Sequence, residues 1–224
     1  MSPALISVAA GELRRVARER GLAAGLGAII RGGVAVPCSA TGLTLLPVGV
    51  IGEVAAWRLP GATVPADRAT VTVLAHALGE TEGVTQVRIV ARGEQVPLQR
   101  TAEPEPDDAV RLLASVRLGL LEHMLEAAVA HLNSRIVDGR PLTTRQMIQA
   151  AVADTVTVAR TIAHVLDDPE LPGGALAEAH ERLDEAGWTV TTLFGAGGYL
   201  REHPVRCLYV AGLVHDAWHT DDYR

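Results

Sequence analysis

The stretch DDAVRLLASVRLGLLEHMLEAAVAHLNSRIVDGRPLTTRQMIQAAVADTVTVARTIAHVLDD, from Asp107 to Asp168, decides the fold. Its first half places Leu113, Val116, Leu120, Met124, Ala128, Leu132 and Ile136 at steps of three and four, which lines them along one side of a helix. The second half repeats Met147, Ala150, Ala151, Asp154, Val158, Ile162 and Val165, opening beside Pro141 with Thr143 or Thr144 as N-cap. Asp138-Gly139-Arg140-Pro141 joins the two tightly. Each half spans about 25 residues, roughly 38 Å of helix, long enough to be a wall of a bundle.

Two further helices complete that bundle. One runs from Gly173 or Gly174 to about Phe194 with Leu176, Ala179, Leu183, Ala186, Val190 and Leu193 as its apolar side, and Gly195-Ala196-Gly197-Gly198 stops it. The other runs from about Pro204 to Trp218, with Val205, Leu208, Tyr209 and Leu213 on one side. Residues 4–30 are Ala-rich and predict one or two short helices interrupted by Gly21, Gly25 or Gly27. Between Gly32 and Gln99 come β-branched runs: Val34-Ala-Val36, Leu43-Thr-Leu45, Val48-Gly-Val50, Val54, Val71-Thr-Val73 and Val87-Arg-Ile89-Val90. They predict a small, mostly antiparallel sheet. Pro104 and Pro106 among acidic residues mark a linker and divide the chain into 1–104 and 105–224. The fold class expected is α+β, a small β domain followed by an up-down four-helix bundle.

Composition narrows the function. The chain has 224 residues, 48% hydrophobic but only 3% aromatic, so Leu, Val and Ala must fill the core. A net charge of −6 with no run of Lys or Arg argues against nucleic-acid binding. Cys38 and Cys207 have no CxxC spacing and read as free thiols of a reducing compartment. The charged segment from Arg14 to Arg20 lies in the wrong place for a secretory signal, and Leu43–Ile51 is too short for a membrane helix, which predicts a soluble cytoplasmic protein. His123, His131, His164, His180, His203 and His215 form no HxxxH or HExxH arrangement, so no metal site is expected. Ser39 and Ser115 lack a GxSxG frame.

Two segments together resemble a known family. Arg135-Ile-Val-Asp-Gly139-Arg-Pro141-Leu142, followed by Gln146 and Ala153-Asp154, is similar to the Arg-x-x-Phe-Gly-x-Pro, Gln and Leu-Ala-Asp segment of the acyl-CoA dehydrogenases. Leu193-Phe-Gly195-Ala-Gly-Gly198-Tyr199, followed by Pro204-Val205-Arg-Cys-Leu208-Tyr209, resembles that family's glycine loop and the helix after it. The resemblance covers about residues 108–218, the back half of such an enzyme, and implies a bundle that builds a dimer interface. It implies FAD as cofactor, with Arg135 at the pyrophosphate, Gln146 on the same cofactor, and Gly195 and Gly198 in the loop where backbone approaches the nucleotide. Arg135 read alone is equally a helix-end cation.

The departures bear on catalysis. Asp138 replaces the phenylalanine, Thr192 a glutamine, Ala196 a glycine, and Val210-Ala211 an Arg-Asp pair. The family's catalytic glutamate falls at His219, and the alternative position for that base, on the first bundle helix, falls at about Ala109. His219 is the only candidate base, against the bland reading of a solvated terminal histidine. The function implied is a subunit, non-catalytic or contributing in trans, that pairs with a homologous acyl-CoA dehydrogenase chain in flavin-dependent α,β-dehydrogenation of a fatty or steroid acyl-CoA. The alternatives are a self-sufficient FAD enzyme or acyl-thioester lyase with an unusual base, and a flavin-free assembly module.

Overall fold

The computed structural model describes residues 3–92, 108–168, 170–171 and 174–219, with the side chains of 3–8 left aside. The expected linker and the boundary near residue 104 lie outside the described residues.

The Ala-rich start forms two helices, α1 (Pro3–Arg20) and α2 (Leu22–Arg31), broken where Gly21 takes φ 83°. Both pack on α3 (Asp108–Ser134), and the contacts are close because glycines remove side chains from them. A Cβ on Gly119 of α3 would lie 2.1 Å from the Arg14 carbonyl oxygen, and one on Gly25 of α2 would lie 2.8 Å from Val116. Arg14–Glu122 and Arg18–Glu126 ion pairs run along the α1–α3 seam. With α1 and α2 on one side and the bundle on the other, every residue of α3 from Ala109 to Leu121 is buried. The expected one-sided stripe therefore understates α3, and its last member, Ile136, lies beyond the helix and is exposed.

After α3 comes a two-residue hairpin, β7 (Ile136–Val137) and β8 (Arg140–Pro141), named in order after six earlier strands. Its turn residues Asp138 and Gly139 have φ of 53° and 74°, the positive pair that a type I′ turn requires. A 3₁₀ turn at Leu142–Thr144 follows, so α4 (Gln146–Asp167) begins later than expected, with Arg145 rather than Thr143 or Thr144 at its N-cap. Thr144 instead donates its hydroxyl to the Pro141 carbonyl at 2.7 Å. The buried side of α4 is Thr155, Ala159, Ile162 and Leu166, and Met147 and Asp154 face outward. α5 (Ala175–Leu193) buries the side read from its sequence except for half-buried Leu176. α6 (Arg206–Trp218) buries Cys207, Val210, Ala211, Val214 and Trp218, and Tyr209 of the expected side is half-exposed.

The β region forms two three-stranded sheets. In one, β2 (Leu43–Pro47), β6 (Val84–Ala91) and β5 (Ala69–Leu74) pair antiparallel in the order β2-β6-β5, with Leu45 opposite Gln86 and Val71 opposite Ile89. In the other, β3 (Ala56–Leu59) pairs antiparallel with β4 (Ala62–Pro65) and parallel with β1 (Val36–Pro37). Val48–Val50, expected as a strand, belongs to a 3₁₀ helix over Val48–Glu53. Pro47 ends the ladder there, and Gly49 and Gly52 weaken strand propensity.

The sheet region meets the bundle through Trp218. This indole is fully buried at the end of α6 and donates Nε1–H to the Leu45 carbonyl of β2 at 3.1 Å. One continuous cluster of buried residues joins α1, α2, both three-stranded sheets and the four bundle helices. Cys38 and Cys207 are buried free thiols, each pushed up to about 12 chiefly by burial. No described helix is long and apolar enough to cross a membrane.

Candidate functional site

Chain connectivity brings the end of α3, the start of α4 and the end of α5 to one pole of the bundle. Ring contacts from His131 to Phe194 (5.5 Å) and from Phe194 to His203 (4.5 Å) tie the glycine segment to that pole. Arg135, Gln146 and Gly195 are all exposed there. Asp138 does not cancel the local positive charge, because Arg145 holds its carboxylate at 2.7 Å. The first turn of α4 has no side-chain N-cap bond, so its amides remain available to an acceptor. Gly195 takes φ 63°, and a Cβ there would meet nothing within 4 Å. A fixed cation, uncapped helix amides and an open glycine backbone together fit a phosphate-type anion such as a dinucleotide pyrophosphate.

Gly198 differs. It is buried, and a Cβ would lie 2.3 Å from the Thr191 carbonyl oxygen and 3.1 Å from the Phe194 Cβ. The protein's own packing demands this glycine. Gly198→Ala is expected to lower stability by about 1–2 kcal/mol as the short 3₁₀ turn at Gly195–Tyr199 shifts away from α5. A urea melt checks this, and an unchanged midpoint would contradict it.

A second constellation lies inside the bundle at its other end. Arg117 of α3, 4% exposed, donates from Nη1 to His180 Nδ1 of α5 at 2.7 Å and from Nη2 to Asp184. A guanidinium only donates, so His180 Nδ1 must be the acceptor and its proton must sit on Nε2, 3.2 Å from the Val110 carbonyl that receives it. His180 is fully buried, and its ring stacks on His215 of α6 with centroids 3.8 Å apart and planes within 12°. Burial, followed by the neighbouring His215 and Arg117, holds His180 well below the ordinary histidine value. Burial, then Arg117 and His219, pushes His215 down to about 3. Both imidazoles are neutral at pH 7.

His219 closes this row. It ends α6, its ring lies 5.6 Å from that of His215, and it lines a cavity of about 290 Å³ with Ser39, Ala40, Thr41, His215 and Asp216. His215 and His219 stand four apart, a spacing present in the sequence that the six-histidine survey above passes over. The described residues hold no group of three metal-ligating side chains. At the alternative base position Ala109 is fully buried. Arg135, Gln146 and Gly195 thus share one pole, Gly198 packs beneath it, and His219 lies with the histidine row.

No protein-family model matches the chain, and no curated protein matches it in sequence. Solved structures share its fold. The Tcur3481-Tcur3483 steroid acyl-CoA dehydrogenase, a variant form, is 21% identical with a TM-score of 0.56 over 82% of this chain and 58% of that one. Butyryl-CoA dehydrogenase of Megasphaera elsdenii is 19% identical with a TM-score of 0.54, over 70% of this chain and 47% of that one. A glutaryl-CoA dehydrogenase of Mycobacterium smegmatis, in complex with FADH2, is 16% identical with a TM-score of 0.52, over 76% of this chain and 52% of that one. The fold of this chain is that of the acyl-CoA dehydrogenases, as the resemblance implies. The chain spans about half the length of these structures.

Proposed function

We propose that this chain is an acyl-CoA dehydrogenase-like subunit that acts beside a homologous, base-bearing partner in flavin-dependent α,β-dehydrogenation of an acyl-CoA thioester. The observation that carries the reading is the contrast between the two ends of the bundle. One pole offers Arg135, Gln146 and the open backbone of Gly195 to an anion, while the position of the family's carboxylate holds His219. The cavity at His219, about 290 Å³, falls just below the roughly 300–1,000 Å³ of sites that enclose a drug-sized ligand, and a coenzyme A thioester is larger still. A second chain would have to supply the rest of the substrate site and the general base. Within the complex, Arg135 would hold the FAD pyrophosphate, Gln146 would hydrogen-bond the same cofactor, and Gly195 would let backbone approach it. FAD, when bound, supplies the hydride acceptor.

The structures sharing this fold include a steroid enzyme whose printed name joins two gene products, and enzymes named for butyryl-CoA and glutaryl-CoA. They support a fatty or steroid acyl thioester as the substrate class and a homologous chain as partner.

Purification from the native host, with an absorbance scan across the flavin bands, tests the reading. The expected result is a yellow complex with a second acyl-CoA dehydrogenase chain, whose flavin affinity falls about ten- to a hundredfold in Arg135→Ala with the assembly intact, the range for losing one charge-assisted hydrogen bond. A homogeneous preparation of this chain alone that oxidises acyl-CoA briskly would overturn it. A colourless chain without partner or flavin affinity would favour a flavin-free assembly module.

A further inference from the structure

Seven aromatic residues serve the whole chain, and their distribution is uneven. Trp57, Trp218 and Phe194 are buried, and Tyr223 lies outside the described residues. The other three, Trp188, Tyr199 and Tyr209, are 56%, 62% and 50% exposed, and all three line one groove between α5, the glycine segment and α6. The groove has a volume of about 470 Å³, and Leu200, 61% exposed, lies on its rim. Aromatic side chains are the commonest anchors of protein contacts, and a chain so sparing of them exposes three at one place.

The charges along the groove are ordered. At one end lie Asp184 and Asp216, and at the other Arg201 and Arg206. Arg206 and Asp216 are ten residues apart on α6, which sets the ends about 15 Å from each other. Asp184 is paired with Arg117, and Arg206 with Glu82 at 2.8 Å. Arg201 donates to the Ala77 carbonyl at 3.0 Å, which leaves its charge without a carboxylate among the described residues. Asp216 has a side chain 77% exposed and only the neutral His215 imidazole nearby, at 3.8 Å. Each end thus carries one uncompensated charge, opposite in sign.

A strip with an apolar middle and opposite charges at its ends is complementary to itself turned end for end. A two-fold axis through the middle of the strip performs that reversal. We propose that this groove is the contact surface of a homodimer, in which Trp188 and Tyr209 of the two copies pack together and Asp216 of each copy meets Arg201 of the other. The inference is independent of the flavin reading, because it concerns a different face and needs no cofactor.

The test is light scattering after size exclusion on the purified chain, with charge reversals at the two exposed ends. The wild type is expected to be a dimer at about 100 μM, and Arg201→Asp and Asp216→Arg are each expected to dimerise at least tenfold more weakly, the effect of about 1.4 kcal/mol. Mixing the two single variants is expected to restore the dimer, because each contact of the mixed pair then joins opposite charges. Trp188→Ser is expected to weaken association in every background. A wild type that stays monomeric, single variants that dimerise as well as the wild type, or a mixture that fails to recover would each overturn the proposal.

Discussion

Gly119→Ala is expected to destabilise the protein by about 2–4 kcal/mol, although alanine is a better helix former than glycine. The propensity gain is about 1 kcal/mol. Against it stands a Cβ placed 2.1 Å from the Arg14 carbonyl oxygen, 3.0 Å from its carbonyl carbon and 3.2 Å from its Cα. All three are backbone atoms of a helix, so no rotamer change relieves the overlap. α1 would have to withdraw by about 1 Å along a seam that carries Ala10, Leu13 and Ala17 in the core and the Arg14–Glu122 bond (Nε to Oε2, 2.8 Å) beside it. Overpacking of this kind costs about 1–3 kcal/mol, and the loosened seam adds to it. The control is Gly11→Ala in α1, where an added Cβ meets nothing within 4 Å and propensity alone should act. Thermal melts are expected to move in opposite directions, down by roughly 5–10 °C for Gly119→Ala and up by about 2 °C for Gly11→Ala. Equal shifts for the two variants would mean that the α1–α3 contact is not the tight one described.

The same seam explains why the bundle was legible in the sequence while the faces of its helices were only partly so. Periodicity reports where large apolar residues recur, and α5 obeys it because its other side meets solvent. α3 does not, because α1 and α2 cover what the bundle leaves, and Arg111, Ser115 and Arg117 are buried with polar groups satisfied internally. Arg111, for example, donates to the carbonyls of Leu166 and Asp168 at 2.6 and 2.5 Å, closing the end of α4. In α4 the buried Thr155 hides from a hydropathy reading by donating its hydroxyl to the Ala151 carbonyl at 2.8 Å, and the true face is displaced from the one that Met147 suggests. The β3–β4 hairpin went unread although Pro60-Gly61 stands in the order of a type II turn, with Gly61 at φ 74°.

For the site, sequence resemblance singled out Arg135, Gln146, Gly195, Gly198 and His219 one by one, and geometry divides them. Resemblance does not distinguish a glycine open to a ligand from one that the protein's own packing demands, as Gly195 differs from Gly198. The Arg117–His180–His215 row has no local motif at all, since its members stand on three helices, 63 and 35 residues apart. Only His215 and His219 share a helical spacing.

That row makes the fold sensitive to acid. Stability is expected to fall as pH drops below about 6.5, by roughly 2 kcal/mol for each of His180 and His215 on reaching pH 5. In the unfolded chain each imidazole takes up a proton near pH 6.5. In the folded chain His215 resists protonation down to about 3, and His180 is held well below the ordinary value. Protonating His180 at Nδ1 would set an N–H against the Arg117 N–H that now points at it, two donors and two positive charges in a buried space. The unfolded state therefore binds more protons throughout this window. The stabilisation is complete above pH 6.5 and declines by about 1.4 kcal/mol per pH unit for each histidine as pH falls toward the folded values. The groups facing the row are Arg117, Asp184, Asp216 and His219. Among them Asp216, pushed up by burial and then by Asp184, acts in the opposite direction, in the carboxylate range below this window. Urea midpoints at pH 7.5, 6.5, 5.5 and 5.0 would measure the slope, and His215→Asn is expected to reduce it by about one proton's worth while leaving the Arg117–His180 bond in place. A midpoint independent of pH across this range, or a slope unchanged in His215→Asn, would show that the buried imidazoles are not what holds α3, α5 and α6 in register.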